Sequence, residues 1–151
     1  MKLKQISIFI ENSPGRVFEV CQALGAAGIN LRALSLADSG DYGVLRILVS
    51  DVATARRILM KKNLPARVDE VVAAEIADEP GSLAKILKAL LEAKVNISYM
   101  YSSIGFSSGK AMVIFRFNDN DRAITIMQKI GIRLLDPQAL GILEKTDKKT
   151  K

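Results

Sequence analysis

Ser13-Pro14-Gly15-Arg16-Val17, followed by Gly28-Ile29-Asn30-Leu31, returns 66 positions later as Glu79-Pro80-Gly81-Ser82-Leu83, followed by Lys94-Val95-Asn96-Ile97. The chain is therefore one small module written twice. Pro14/Pro80, Gly15/Gly81, Leu24/Leu90 and Asn30/Asn96 are identical pairs, and beyond a loop two residues longer in the second copy so are Asp51/Asp119, Ala55/Ala123 and Ile58/Ile126. The length of 151 residues would ordinarily mean one domain, and the repeat overrides that expectation. The expected division is a first module over 1–68, a second over 69–144 and a basic disordered tail over 145–151.

Each copy reads as strand, helix, strand, strand, helix, strand. In the first, Leu3 to Ile10 alternates, and Val17, Val20, Cys21 and Leu24 then follow the spacing of one buried helical stripe. Leu83, Ile86, Leu87 and Leu90 match them. Ser13 is expected to cap the first helix through its hydroxyl, with Pro14 at the first helical position and Gly28 at the exit. Asp38-Ser39-Gly40-Asp41 makes a turn between two strands, and Asp51 and Asp119 open the second helices. The expected fold class is thus α+β: two ferredoxin-like βαββαβ modules, antiparallel sheets with helices on one face.

Ala66 to Ile76 is a nearly unbroken extended run at the junction, with no flexible linker. It predicts tightly packed modules joined by one long strand that passes from sheet to sheet. The last strand of the second module is interrupted by Pro137, which cannot donate to a ladder, leaving Ala139 to Leu143 to complete it. Val44 and Leu48 flank Arg46 on the face away from the helices, and Met112 and Ile114 precede Arg116. An apolar second face needs cover, so a homodimer is expected ahead of a monomer, with tail or loop packing as the alternative.

Composition removes several function classes. Hydrophobic residues make up 49% and charged residues 25%, enough for a real core. No stretch has the length of a membrane span or signal peptide, so no membrane association and a cytoplasmic location are expected. The single cysteine, Cys21, reads as a small buried hydrophobe. Half of the net charge of +6 comes from the tail, where four lysines face one aspartate, and no basic helix interleaves aromatics, so nucleic acid is not an expected partner. With no histidine, no metal-ligand cluster, no glycine-rich phosphate loop and no nucleophile beside a base, the chain is not expected to be an enzyme or to carry a cofactor. Asp38/Asp41 and Asp119/Asp121 fit turn formers and caps.

The loops before the first helices do point to chemistry. Ser13-Pro14-Gly15 and Glu79-Pro80-Gly81 expose free amides at a helix N-terminus, which favour an anion such as a carboxylate. Asn12 and Asp78 stand two residues before the prolines, and Asn30 and Asn96 open the second strand alongside. An amide both donates and accepts, which suits a ligand carrying an ammonium and a carboxylate together, an amino acid. Each loop taken alone is equally a proline-glycine turn capped by asparagine.

Ile8-Phe9-Ile10-Glu11-Asn12-Ser13-Pro14-Gly15 through Leu31, and Ala74-Glu75-Ile76-Ala77-Asp78-Glu79-Pro80-Gly81 through Ile97, resemble ACT domains, and the resemblance covers most of residues 3 to 143. It implies amino-acid binding at an interface between domains, near the first loop and helix of one and the second strand of its neighbour. By position, Asn12 would contact the polar head of the ligand, Gly15 would admit its backbone and Asn30 would orient it, with Asp78, Gly81 and Asn96 in the matching places and Ser13, Pro14, Glu79, Pro80 and Ser82 completing the loops. Arg16 is either a carboxylate clamp or a solvated surface residue. Asp78 replaces an amide with a carboxylate, so the two sites need not be equivalent. Ile10 stands where some serine-sensing relatives have histidine, which argues against serine; Tyr99, Met100, Tyr101, Phe18 and Phe106 favour an aromatic or branched-chain amino acid. The reading is a stand-alone sensor that signals to a partner. A regulatory subunit of a biosynthetic enzyme, as in acetolactate synthase, and a ligand-independent interaction module are the alternatives.

Overall fold

The computed structural model describes residues 1–143, with the backbone alone for 104–106; the expected tail at 145–151 and the side chain of Phe106 lie outside the described residues. The elements follow the order β1 (Leu3–Glu11), α1 (Arg16–Ala26), β2 (Leu31–Ser39), β3 (Tyr42–Val49), α2 (Val52–Lys61), β4 (Ala66–Ala77), α3 (Ser82–Glu92), β5 (Ile97–Ser107), β6 (Lys110–Phe117), α4 (Asn120–Lys129) and β7 (Arg133–Leu135). Two compact units result: residues 4–69 with 137–143, and residues 1–3 with 70–136. Both are α+β and ferredoxin-like.

In the first unit the strand order is β2-β3-β1-β4, antiparallel from β1 through β3 to β2. Ile6, Ile8 and Ile10 pair with Ile47, Leu45 and Gly43, and the three isoleucines are at most 4% exposed. Val20 and Leu24 of α1 and Ala55 and Leu59 of α2 are buried with them, as the helical stripes require. In the second unit β6 lies between β5 and β4, and β7 pairs with the other edge of β4. Val72, Ala74 and Ile76 of β4 and Val113, Phe115 and Phe117 of β6 meet Ile86, Leu90, Ala123 and Met127 in one core. Phe115 and Phe117 stack with ring centroids 5.2 Å apart.

The long junction strand is real: β4 runs unbroken for 12 residues, and its two ends belong to the two units. Three expectations are corrected. The first helix begins at Arg16 with Gly15 as its cap, at φ 90° and without any side-chain cap, so Ser13 does not cap it and Pro14 lies in the turn before it. The second sheet is completed by β7 and not by Ala139 to Leu143, because Arg133, Leu134 and Leu135 register with Glu75, Ala74 and Ala73 before Pro137 ends the ladder. Residues 137–143 return to the first unit, where the Leu143 N–H donates to Ser50 O at 2.7 Å and Leu140 and Ile142 are buried. Leu48, Met112 and Ile114 are at most 1% exposed within the single chain, so they supply no ground for a second copy. Cys21 is half-buried. Among the described residues no helix is long and apolar enough to cross a membrane.

Candidate functional site

The β1–α1 loop is held from below. The Asn12 N–H donates to Asp41 O at 2.8 Å, and its side-chain Nδ2 donates to Gly40 O at 3.2 Å, tying the loop to the β2–β3 turn. The Ser13 N–H donates to Glu11 O, and Gly15 adopts the left-handed backbone that lets the chain enter the helix. No side chain caps α1, and the Arg16 N–H donates to Ser13 O at 3.4 Å, so the Val17 and Phe18 amides are the donors left over at its start among the described residues. α3 starts the same way, with Gly81 at φ 84° and no side-chain cap. Among the described residues Asp78 holds its turn through its backbone, the Asp78 N–H donating to Gly109 O at 3.0 Å; a carboxylate has no donor to copy the Asn12 side-chain tie.

Arg16 does not stand free. Its two terminal nitrogens lie 3.2 Å from Glu19 Oε2 and from Glu11 Oε2, and the bond to Glu19 followed by that to Glu11 raises its pKa above the ordinary value. A carboxylate clamp at this arginine would have to displace both partners.

A cavity of about 380 Å³ brings Asn12, Ser13 and Pro14 together with Val17 of α1 and Leu36 and Asp38 of β2. Asn30 is not part of it. Asn12 meets β3 at Asp41, while Asn30 meets it at the far end, where the Asn30 N–H donates to Ser50 Oγ and the Ser50 N–H donates to Asn30 O, both at 2.9 Å. From Asp41 to Ser50 the extended chain spans about 30 Å. Asn30 therefore does not lie alongside Asn12 in its own module, which corrects that expectation; strand direction decides it, since β1 and β2 both run antiparallel to β3. The second module repeats the arrangement, with Asp78 against Gly109 and Asn96 reciprocally bonded to Asn118 at 3.0 Å. Within one module, therefore, the loop and the asparagine do not face a common ligand.

Asn30 and Asn96 are exposed, and neither side-chain amide makes a hydrogen bond among the described residues, so they do not act as turn caps. Their backbones are locked all the same. Tyr99 and Tyr101 on β5 are half-buried, Met100 is 43% exposed and Phe18 is 64% exposed. Reading the sequence missed Ser50 and Asn118, whose one signal is that both follow the third strand of their copy, and Leu36 and Asp38, whose place beside the loop depends on strand register.

Fold and loops together define a pair of ferredoxin-like modules whose first helices both start at a left-handed glycine without a side-chain cap. The chain belongs to the ACT domain pair family, whose model matches residues 1–141. It is similar to the protein BT0572 from Bacteroides thetaiotaomicron, with 36% identity over 95% of this chain and 98% of that one and a TM-score of 0.88. It shares its fold with the regulatory subunit of aspartate kinase from Thermus thermophilus in its ligand-free form, at 18% identity over 83% of this chain and 90% of that one, TM-score 0.61. The aspartate kinase of Clostridium acetobutylicum is similar at 19% identity over 85% of this chain and 33% of the kinase, TM-score 0.54. No curated protein matches the chain.

Proposed function

We propose that this protein binds a free amino acid where the β1–α1 loop of one module meets the start of the second strand of another, and that binding shifts the arrangement which a partner protein reads. The observation that carries this reading is the state of Asn30 and Asn96: exposed side-chain amides with no hydrogen bond among the described residues, on backbones fixed by Ser50 and Asn118. A side chain kept free on a locked backbone is pre-organised for a ligand. The uncapped N-terminus of α1 supplies donors for the carboxylate, and Asn12 contributes its amide oxygen. Because one module cannot present both halves, the second half comes from another module of this chain or from a second copy, which keeps a homodimer in the proposal. An aromatic or branched-chain amino acid is the proposed ligand.

Thermal unfolding with each of the twenty amino acids at about 1 mM tests this. A ligand with a dissociation constant near 10 µM adds about 2.7 kcal/mol and raises the midpoint by about 5–10 °C. A selective rise that disappears in Asn30→Ala supports the site, and a flat response across all twenty overturns it. The likeness to an aspartate kinase regulatory subunit favours a second reading, a regulatory subunit held by a catalytic one, and co-purification of an enzyme with the tagged protein separates the two.

A further inference from the structure

Residues 52–68, which span α2, the loop after it and the start of β4, hold five basic residues and no acidic one. Arg67 is taken by Asp69 at 3.0 Å. The other four, Arg56, Arg57, Lys61 and Lys62, are exposed and form no ion pair among the described residues. Glu11 and Glu19, which line a cavity together with Lys62, are already bridged by Arg16.

The helix itself gains little from this charge. Val52, Ala55 and Leu59 are its buried residues, so Arg56 and Met60, and Arg57 and Lys61, each four apart, run along the outward side. Like charges four apart on a helix repel. Lys61 and Lys62 at the C-terminal end suit the helix dipole, but Arg56 and Arg57 lie too far from that end to benefit.

An apolar seat stands among the cations. Met60 is 71% exposed, and with Arg56, Leu64, Ala66 and Val68 it lines a recess of about 90 Å³, room for one aliphatic side chain. The repeat supplies an internal control: Arg56, Arg57, Met60, Lys61 and Lys62 correspond to Ile124, Thr125, Gln128, Lys129 and Ile130. The second module builds α4 with one of the four cations and without the methionine, so neither is needed to form the helix.

We propose that the outward side of α2 docks an acidic segment of a partner protein. Aspartate or glutamate side chains pair with Arg56, Arg57, Lys61 and Lys62, and one aliphatic side chain of the segment enters the recess beside Met60, whose flexible thioether adapts to it. No aromatic side chain lines that recess to stack a nucleobase, so the surface fits a peptide and not a nucleic acid. Neither Asn12 nor Asn30 belongs to it, and the docking goes beyond the amino-acid reading.

Fluorescence anisotropy on the full chain tests it, with a short fluorescein-labelled peptide of glutamates around one leucine. The peptide should bind at low ionic strength and weaken with added salt. Replacing its glutamates by glutamine, or introducing Arg56→Glu or Lys61→Glu into the protein, should weaken binding about tenfold or more, whereas Lys129→Glu at the matching place on α4 leaves it unchanged. Met60→Ser should erase the preference for the leucine peptide over one with glycine in its place. All three positions on α2 are exposed, so an unchanged thermal midpoint separates lost docking from lost folding. Absence of binding at low salt overturns the proposal. So does binding that survives both charge reversals, equal binding of the leucine and glycine peptides to the parent, or a single-stranded oligonucleotide of equal charge that binds as tightly as the peptide.

Discussion

Ser50 and Asn30 hold each other by two hydrogen bonds of 2.9 Å, one from the Asn30 N–H to the Ser50 hydroxyl and one from the Ser50 N–H back to the Asn30 carbonyl. The Ser50 carbonyl also accepts from Leu143, so one residue joins the start of β2 to the returning C-terminal segment. Ser50→Ala should lower stability by about 0.5–1.5 kcal/mol, the net worth of one hydrogen bond, whereas Asn30→Ala should stay within about 0.5 kcal/mol of the parent. Urea unfolding of the two variants compares them directly. An equal loss in both would mean that the Asn30 amide has a structural partner.

The exits of the two first helices use the same left-handed backbone with different residues. Gly28 has φ 73° and its repeat partner Lys94 has φ 56°, where a Cβ is strained. Lys94→Gly should therefore stabilise the protein by about 0.5–1 kcal/mol, and Gly28→Lys should cost about 1 kcal/mol. Chemical denaturation midpoints read both signs.

Residues 137–143 belong by contact to the first unit although they follow the second in sequence. Ile142 is 6% exposed there, so Ile142→Ala should cost about 2–4 kcal/mol. Amide exchange should show the loss of protection in residues of 4–69. A loss confined to residues 70–136 would contradict the placement.

The Lys2 ammonium lies 2.9 Å from Glu70 and 3.2 Å from Asp121, and its pKa is raised, first by the bond to Glu70 and then by that to Asp121. A raised pKa means the contribution is fully present below the unfolded value of 10.5 and is lost as pH climbs through the higher folded value. The midpoint difference between the parent and Lys2→Met should thus be constant through neutral pH and vanish in strong alkali. Because the group is exposed, high salt should shrink it as well.

Much of this architecture follows from local signals. Asp51 and Asp119 accept from the Thr54 and Arg122 amides at 3.0 Å as side-chain caps, a role set by residues three apart in sequence. The run from Ala66 is extended because nothing in it breaks a strand. The caps of α1 and α3 were less legible, since Ser13-Pro14-Gly15 satisfies two capping patterns and only the backbone angle at Gly15 selects between them.

The amino-acid sequence by itself determined the duplication, the order of elements in each copy and the buried stripes, because periodicity and caps act over a few neighbouring residues. Tertiary structure alone decided that Asn12 and Asn30 stand at opposite ends of β3, that Ile142 and Leu143 return to the first unit, and that Phe9 and Lys62 share one cavity. Those facts depend on strand direction, register and chain return, which are fixed by contacts between residues tens of positions apart.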